Sequence, residues 1–308
     1  TAAIIARQNI SVTGVDVNEN VVNTINQGRI HIVEPELDGL VKAVVERKML
    51  VANTKPVEAD VFVVAVPTPF KGQHEPDISY VEKATSSVIP FLKDGSIYIL
   101  ESTSPVGTTE KMAELIFKQR PELKGKISIA YCPERVLPGN VIHELVSNDR
   151  VIGGIDEVSA EKACEFYRLF VKGQLHKTNS RTAEMCKLTE NSYRDANIAF
   201  ANELSIICDK AGIDVWELIS LANKHPRVKI LQPGTGVGGR IAVDPWFIVS
   251  DFQSEATLIR TSRERNLYKT HWVIEKIEKS ISQFKGEPKV AFMGLAFKPD
   301  IDDLRESP

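Results

Sequence analysis

The sequence has few cysteines and no long apolar run, and each shortage excludes a class of protein. The four cysteines are scattered without C-x-x-C spacing, and no paired His/Cys cluster of the kind that holds zinc accompanies them. No apolar stretch approaches the roughly 20 residues that span a bilayer, and the first residues do not resemble a signal peptide. We therefore predict a cytoplasmic protein without a metal site.

The sequence also lacks a strong excess of charge. Its formal net charge is -3 over 308 residues, of which 43% are hydrophobic and 26% charged. This composition is typical of a globular protein that is long enough for two domains. Because there is no basic field, we predict neither nucleic acid nor a membrane as a partner, and a phosphate-bearing ligand has to be bound by local groups.

Alternating apolar runs and helix-like segments predict an α/β fold with a Rossmann-like, doubly wound parallel sheet. The opening residues read as the end of a helix, so we expect the chain to start partway through the fold, after its first strand and glycine-rich loop. The apolar runs of strand length lie at residues 10–15, 61–66, 97–100 and 127–131, and the helix-like segments lie at 77–92 and 109–119.

After His176 the pattern becomes helical. A long helix is predicted at residues 182–211, and a second begins at Asp214, whose carboxylate can cap free amides while Glu217 lies three positions on. Residues 289–295 read as one more buried strand. We predict a dinucleotide-binding domain at 1–178, a central helical domain at 179–285 and the start of a second Rossmann-like domain at 286–308.

Three polar segments each follow a predicted strand directly, at the sheet edge where ligands of open α/β folds bind. They are residues 66–69 (VPTP), 101–107 (ESTSPVG) and 131–139 (YCPERVLPG). The hydroxyls of the first two can bond a cofactor or an ordered water, and Glu134 in the third can orient or deprotonate a water. Ordinary turn chemistry and a solvent-facing loop glutamate are the alternatives that the residues alone leave open.

Asp16 ends the first predicted strand, where dinucleotide-binding folds place an acid that bonds the adenosine ribose. The glycine-rich turn G-x-G-x-x-G that should precede this acid is absent from the sequence. A turn or cap role for the carboxylate is therefore an equal alternative.

Lys187 and Asn191 are four residues apart in the segment EMCKLTEN and share a helix face. An ammonium beside an amide can stabilise an alkoxide or an oxyanion. A solvated surface pair is the alternative.

Residues 232–245 read QPGTGVGGRIAVDP, with four glycines in the six residues from Gly234 to Gly239. We name residues 234–239 the glycine segment. Such a segment lets backbone amides approach a phosphate or a sugar closely. The apolar tail that follows argues against the alternative, a flexible connector.

These segments, together with the terminal FKPDIDDLRESP, resemble the UDP-glucose/GDP-mannose dehydrogenase family in their sequence and in their order, over nearly the whole chain. The resemblance implies oxidation of the C6 alcohol of a nucleotide sugar to a carboxylate with two NAD molecules. Within the family, residues 191–219, HPRV and AVDPWF are most similar to the UDP-N-acetyl-D-mannosamine dehydrogenases. This similarity implies UDP-N-acetyl-D-mannosamine as substrate, its uronate as product and a role in bacterial surface polysaccharide synthesis.

The resemblance also implies the residues that hold the cofactor. Asp16 would bind the adenosine ribose, and Pro67 and Thr68 would line the cofactor. Thr103 would position a catalytic water near the nicotinamide, and Arg305 would contact NAD.

Catalytic and substrate roles follow from the same resemblance. Glu134 would be the acid/base that acts on the water, Lys187 and Asn191 would stabilise the oxyanion formed at C6, and Asp244 would help to activate the hydroxyl or water. The long helix would form the core of a homodimer. Besides Glu134, Lys187 and Asn191, the implied substrate contacts are Leu137, Gly139, Arg227, Gly236, Gly238, Gly239 and Lys298.

The end of the glycine segment departs from the family. The family reads GGHC before its hydrophobic residue and VDP, with the cysteine as nucleophile, whereas Gly239 is followed here by Arg240 and Ile241. A thiolate normally adds to the aldehyde so that a second hydride can leave and a thioester can be hydrolysed. An inactive nucleotide-sugar-binding relative is therefore an alternative, beside enzymes for UDP-glucose or UDP-N-acetylglucosamine and, last, a 6-phosphogluconate-type hydroxyacid dehydrogenase.

Overall fold

Short strands and helices alternate in the first part of the chain and long helices fill the second, and the computed structural model groups them into two units. The first unit comprises Thr1–Pro69 and Asp77–Lys187, and the second comprises Phe70–Pro76 and Leu188–Pro308. The structure describes residues 239 and 240 by their backbone alone. It describes the rest of the chain except residues 31–33, 35, 73, 137, 138, 238, 294, 296–306 and 308.

The elements follow one another along the chain with short connections. The strands are β1 (Val12–Val15), β2 (Leu50–Asn53), β3 (Val61–Val64), β4 (Phe70–Lys71), β5 (Glu75–Pro76), β6 (Ile97–Leu100), β7 (Ser128–Tyr131), β8 (Arg150–Gly154) and β9 (Leu175–Asn179). The helices are α1 (Ala2–Arg7), α2 (Glu19–Asn26), α3 (Leu37–Glu46), α4 (Ser79–Val88), α5 (Thr108–Gln119), α6 (Val141–Ser147), α7 (Glu157–Tyr167), α8 (Ser180–Ala211), α9 (Val215–Ala222), α10 (Gly239–Asp251) and α11 (Thr257–Ile281).

In the first unit, β3, β6, β7, β8 and β9 form a five-stranded sheet in that order, and β1 and β2 pair separately as a parallel two-stranded sheet. β3, β6 and β7 run parallel, with Val64, Leu100 and Tyr131 in register at their carboxyl ends. β8 runs antiparallel to β7, and β9 runs parallel to β8. The segments that follow the three parallel strands therefore emerge at one edge of the sheet, as predicted.

The predicted parallel sheet is confirmed for β3, β6 and β7. The sequence does not predict the antiparallel strand β8. Its two glycines explain why, because they serve close backbone approach rather than side-chain packing. A Cβ atom on Gly153 would lie 2.4 Å from the Asn179 carbonyl oxygen, and one on Gly154 would lie 2.2 Å from that of Asp156. A strand built in this way lacks the apolar pattern that sequence reasoning detects.

The sheet of the first unit is covered on both faces. Tyr98 and Ile99 are neighbours in β6, point to opposite faces and are fully buried. Tyr98 packs with Met112 and Ile116 of α5, and Ile99 packs in a second cluster with residues of α1 and α7 such as Tyr167. Full burial of one such apolar side chain contributes about 1.5–3 kcal/mol, so both clusters stabilise the position of β6.

Helices dominate the second unit. α10 packs against α11 and β5, with Phe247 fully buried. Asp214 caps α9 as predicted, because its side chain accepts hydrogen bonds from the amides of Trp216 and Glu217. Within the described residues, no helix is long and apolar enough to cross a bilayer.

The predicted strand at residues 289–295 is wrong for the residues that the structure describes. Residues 287–293 form neither strand nor helix, and Phe292 and Met293 are 75% and 94% exposed. An apolar run becomes a buried strand only beside other strands, and none of the described strands pairs with this one.

Candidate active site

Hydroxyl groups tie together the segments that follow β3 and β6. Thr68 Oγ1 donates to the Thr103 carbonyl oxygen at 2.7 Å. Ser102 Oγ accepts from the Val66 amide and donates to the Val66 carbonyl oxygen, both at 2.8 Å. Thr68 and Thr103 are buried, whereas Pro67 is exposed. The structure thus brings the predicted residues of VPTP and ESTSPVG together at one sheet edge.

A buried arginine lies beside Glu134, which follows β7. Glu134 Oε1 accepts from the Arg135 amide at 2.8 Å, and Oε2 lies 3.6 Å from Arg150 Nη2. The Arg150 guanidinium lies over the Tyr167 ring, 5.2 Å from its centroid, and the Tyr167 hydroxyl donates to Glu101 Oε1 at 2.9 Å. The Glu134 side chain is 32% exposed, so water can reach it while a buried cation orients it.

Burial shifts the pKa values of Glu101 and Cys132. Burial, and then the neighbouring Glu134 carboxylate, raise the pKa of Glu101 above its ordinary value. Burial also raises the pKa of Cys132 to about 12. Since only a thiolate is strongly nucleophilic, Cys132 is inert at neutral pH.

Asp16 lies just after β1 with an exposed side chain. Its Oδ1 accepts from the Asn18 amide at 2.8 Å, which is the turn role that the sequence leaves open. The same exposed carboxylate can accept hydrogen bonds from ribose hydroxyls. An acid at the end of a parallel strand, in a unit whose sheet edge carries Thr68 and Thr103, fits a dinucleotide such as NAD.

A carboxylate that the sequence does not single out binds the backbone at Gly139 and Val141. Glu34 is buried and accepts from the amides of Gly139 and Val141, both at 2.9 Å. Gly139 has φ of +94°, a conformation that glycine adopts without strain. Glu34 thereby holds the backbone at Gly139, a predicted substrate contact.

The second unit contains an amide–carboxylate pair. Asn191 Nδ2, on α8, donates to Asp244 Oδ2, on α10, at 2.5 Å. Asp244 is fully buried, and Pro245 follows it within the helix. Lys187 is half-buried and lies one helical turn before Asn191 on α8. The predicted lysine, amide and aspartate thus lie on two elements, one of which carries both Lys187 and Asn191.

The glycine segment follows α9 along the chain and ends at the start of α10. Its Gly234 amide donates to Asn202 Oδ1 at 2.8 Å, Gly236 is exposed, and Gly239 is the first residue of α10. Arg227, a predicted substrate contact, is exposed in the loop after α9. The predicted site residues that lie outside the described residues are Leu137, Gly238, Lys298 and Arg305.

Sequence reasoning missed two buried carboxylates on α8, Glu184 and Asp195. Glu184 accepts from amides at the start of α5, and Asp195 accepts from Arg263 of α11 at 2.5 Å. The spacing of Lys187, Asn191 and Asp195 is a signal that could have found the second of them. Residues at i, i+4 and i+8 continue one helix face.

Comparison with protein-family profiles finds two adjacent matches. Residues 1–171 match the NAD binding domain of the UDP-glucose/GDP-mannose dehydrogenase family, and residues 181–268 match the central domain of the same family. Together the two matches cover most of the chain.

Individual relatives agree with these profiles. The UDP-N-acetyl-D-mannosamine dehydrogenase of Campylobacter jejuni is 60% identical, over 100% of this chain and 78% of that protein. The NDP-N-acetyl-D-galactosaminuronic acid dehydrogenase of Ralstonia nicotianae is 56% identical, over 100% of this chain and 75% of that protein. Among solved structures, the UDP-D-ManNAc dehydrogenase of Pyrococcus horikoshii matches with a TM-score of 0.91 at 40% identity, over 99% of this chain and 75% of that one.

Proposed function

This chain belongs to the UDP-glucose/GDP-mannose dehydrogenase family, and we propose that it oxidises C6 of UDP-N-acetyl-D-mannosamine to the uronate with NAD. The predicted family and the NAD cofactor are confirmed by the family match. In this proposal residues 1–178 bind NAD, residues 179–285 form the dimerisation and substrate domain, and residues 286–308 begin the UDP-sugar-binding domain.

The Asn191–Asp244 pair carries the proposal. Asp244 is a buried carboxylate that can accept the proton of the C6 hydroxyl as the bond to hydrogen weakens. The Asn191 amide nitrogen donates one hydrogen to Asp244, and its second hydrogen can donate to the developing alkoxide. The Lys187 ammonium, one turn away on α8, supplies a positive charge for the same oxygen. NAD, when bound, would supply the acceptor for the hydride that leaves C6.

The second oxidation needs a nucleophile, because the aldehyde formed first gives up hydride readily only after addition to its carbon. Arg240 follows Gly239 in this chain, and the pKa of Cys132 is raised to about 12 by burial. We assign the addition to water, with Glu134 taking its proton. Loss of a second hydride from the hydrate would leave a carboxylate, and a second NAD would supply the acceptor for that hydride.

Progress curves test this assignment. With limiting UDP-N-acetyl-D-mannosamine and excess NAD, we expect two equivalents of NADH per sugar, the first fast and the second slow, because water is a weaker nucleophile than a thiolate. Arg240→Cys introduces a thiol beside Gly239 and should accelerate the second phase alone. Absence of any sugar-dependent NADH would overturn the proposed function in favour of a binding module.

A second candidate is the activity that the name of the Ralstonia nicotianae relative gives, because its 56% identity is close to that of the mannosamine enzyme. The same assay distinguishes the two. A larger kcat/KM with an NDP-N-acetyl-D-galactosamine than with UDP-N-acetyl-D-mannosamine would favour this candidate.

We also propose a homodimer in which α8 of one copy covers α8 of the other. Tyr193, Phe200 and Ile207 lie at seven-residue intervals on α8 and are 71%, 54% and 53% exposed. This spacing places them on one helix face, and a second copy of the helix presents a matching apolar surface. Phe200→Asp should shift the sedimentation coefficient to that of a monomer. A wild-type protein that sediments as a monomer contradicts the dimer.

We place the reaction in the cytoplasm, as a step that supplies an acidic sugar for bacterial surface polysaccharide. All four cysteines are free, which suits a reducing compartment, and the cofactor is a nicotinamide. Cell fractionation with an antibody against the protein tests the location, and recovery in the periplasmic fraction would contradict it.

A further inference from the structure

A line of buried hydrogen bonds runs from an ion pair between α8 and α11 to the start of the glycine segment. Arg263 Nη1 donates to Asp195 Oδ1 at 2.5 Å, and Asn266 Nδ2 donates to the same oxygen at 2.8 Å. Asn266 Oδ1 accepts from Asn202 Nδ2 at 2.8 Å, and Asn202 Oδ1 accepts from the Gly234 amide at 2.8 Å. All four side chains are buried. We name this line the Asp195 relay.

The charge at one end of the Asp195 relay orients both of its amides. An ionised carboxylate only accepts hydrogen bonds, so Asn266 turns its NH2 group toward Asp195 and its oxygen toward Asn202. Asn202 must then turn its own NH2 group toward Asn266 and its oxygen toward Gly234. The backbone N–H of Gly234 only donates, so both ends of the relay require the same orientation.

Gly234 has open space on the side of its backbone where a side chain would stand. A Cβ atom built on Gly234 would meet no described atom within 4 Å. The side of the backbone that a larger residue would pack is therefore open. The hydrogen bond to the Asn202 oxygen restrains the backbone at Gly234, where the glycine segment begins.

We propose that Asn202 is a positioning residue that holds Gly234, the first residue of the glycine segment, in place for sugar binding. The assignment of a sugar to the segment rests on the proposed function. A glycine-rich backbone loses much conformational entropy when a ligand orders it. An anchor that restricts it beforehand lowers this cost, so Asn202 acts on substrate affinity more than on the chemical step.

Hydrogen exchange in the ligand-free protein tests the anchor itself. Asn202→Leu keeps the branched shape and the number of heavy atoms of the side chain and removes both of its hydrogen bonds. We expect the Gly234 amide to exchange at least about tenfold faster in this variant, because its acceptor is lost. Ser205→Ala is the matched control, since Ser205 is buried on the same helix and bonds the Asn202 carbonyl but not the glycine segment. Equal exchange of the Gly234 amide in the wild type and Asn202→Leu would overturn the proposal.

Asn202→Asp tests the orientation of the relay. The carboxylate can still accept from Gly234, but it faces the oxygen of Asn266, which Asp195 holds in that orientation. We expect this variant to lose protection at Gly234 like Asn202→Leu. Wild-type protection in Asn202→Asp would show that the relay has no fixed direction.

Steady-state kinetics test the consequence for the substrate. Asn202→Leu should raise the KM for UDP-N-acetyl-D-mannosamine about tenfold and change kcat less than about threefold, while the KM for NAD stays at the wild-type value. Ser205→Ala should leave all three constants unchanged. An equal fall in kcat for both variants would mean that Asn202 is merely structural. Because the exchange experiment uses no substrate, it can succeed even if the proposed function fails.

Discussion

Glu184 and Asp195 are buried carboxylates on one helix, α8, and different kinds of groups donate hydrogen bonds to them. Glu184, in the first unit, accepts from the amide and hydroxyl of Thr109 at 2.8 and 2.6 Å and from the Gly107 amide at 2.5 Å. Asp195, in the second unit, accepts from side chains of α11, Arg263 and Asn266. Burial raises the pKa of both carboxylates.

The difference follows from the hydrogen-bond donors that are available beside each carboxylate. Glu184 meets the start of α5, where backbone amides lack helical partners and carry partial positive charge. Asp195 lies against the middle of α11, where the backbone amides are already bonded, so only side chains can satisfy it. The hydrogen bonds of Glu184 therefore depend mainly on the backbone, and those of Asp195 depend on the side chains of two individual residues.

Removal of the Arg263 cation should have the largest effect on the free energy of unfolding. Arg263→Met leaves the buried Asp195 carboxylate without its ion pair, and we expect a loss of about 3–5 kcal/mol in the free energy of unfolding. Urea denaturation measures it, with Arg265→Met as the control, because Arg265 forms a more exposed ion pair with Glu203. A loss below about 1 kcal/mol would show that Asp195 does not depend on Arg263.

Lys187, which lies between Glu184 and Asp195 in the sequence of α8, should affect activity instead of stability. Lys187→Met removes the ammonium proposed to stabilise the alkoxide, and we expect kcat to fall about 100-fold to 1000-fold. The free energy of unfolding should change by less than about 1 kcal/mol, as is usual for partly exposed side chains. A stable variant with wild-type kcat would remove Lys187 from the mechanism.

Replacement of the first carboxylate should have a smaller effect on stability than loss of Arg263. Glu184→Gln keeps one acceptor oxygen but sets an NH2 group against a backbone amide, and we expect a loss of about 1–3 kcal/mol. The same urea experiment measures it. A loss larger than that of Arg263→Met would reverse the comparison.

The smallest expected effect is a pH dependence. Because burial raises the pKa of Glu184 above 4.5, the folded state binds its proton more tightly than the unfolded state does. Its contribution to stability is therefore complete below pH 4.5 and is lost as the pH rises through the folded-state pKa. The difference in unfolding free energy between the wild type and Glu184→Gln should decrease over this range. A difference that grows with pH would mean that the pKa is lowered.

Much of the fold follows from local patterns in the sequence. The run Ile97–Leu100 predicts β6 with its observed bounds, and Asp214 predicts the cap of α9. β8 was missed because Gly153 and Gly154 serve close backbone approach, which leaves no apolar alternation. The apolar residues of 289–295 predict a strand that the described residues do not form, because pairing depends on neighbours that a local pattern does not contain.

Some residues of the candidate site likewise follow from local sequence patterns, and others do not. Motifs and helix spacing identify Thr68, Thr103, Lys187 and Asn191, since each follows a strand or shares a helix face. They do not identify Glu34, which lies 105 residues from the glycine amide that it bonds. Nor do they identify Asn202, whose partner Gly234 is 32 residues away. Contacts of this kind depend on tertiary structure, so only coordinates reveal them.

The measurement that tests the central claim most directly is sugar-dependent NADH formation by the purified protein, with the product identified by mass spectrometry. UDP-N-acetyl-D-mannosamine, UDP-glucose and UDP-N-acetylglucosamine are compared at equal concentrations with excess NAD. We predict the largest kcat/KM for UDP-N-acetyl-D-mannosamine and its uronate as the final product. Faster oxidation of UDP-glucose, or binding of all three sugars without any NADH, would contradict the account.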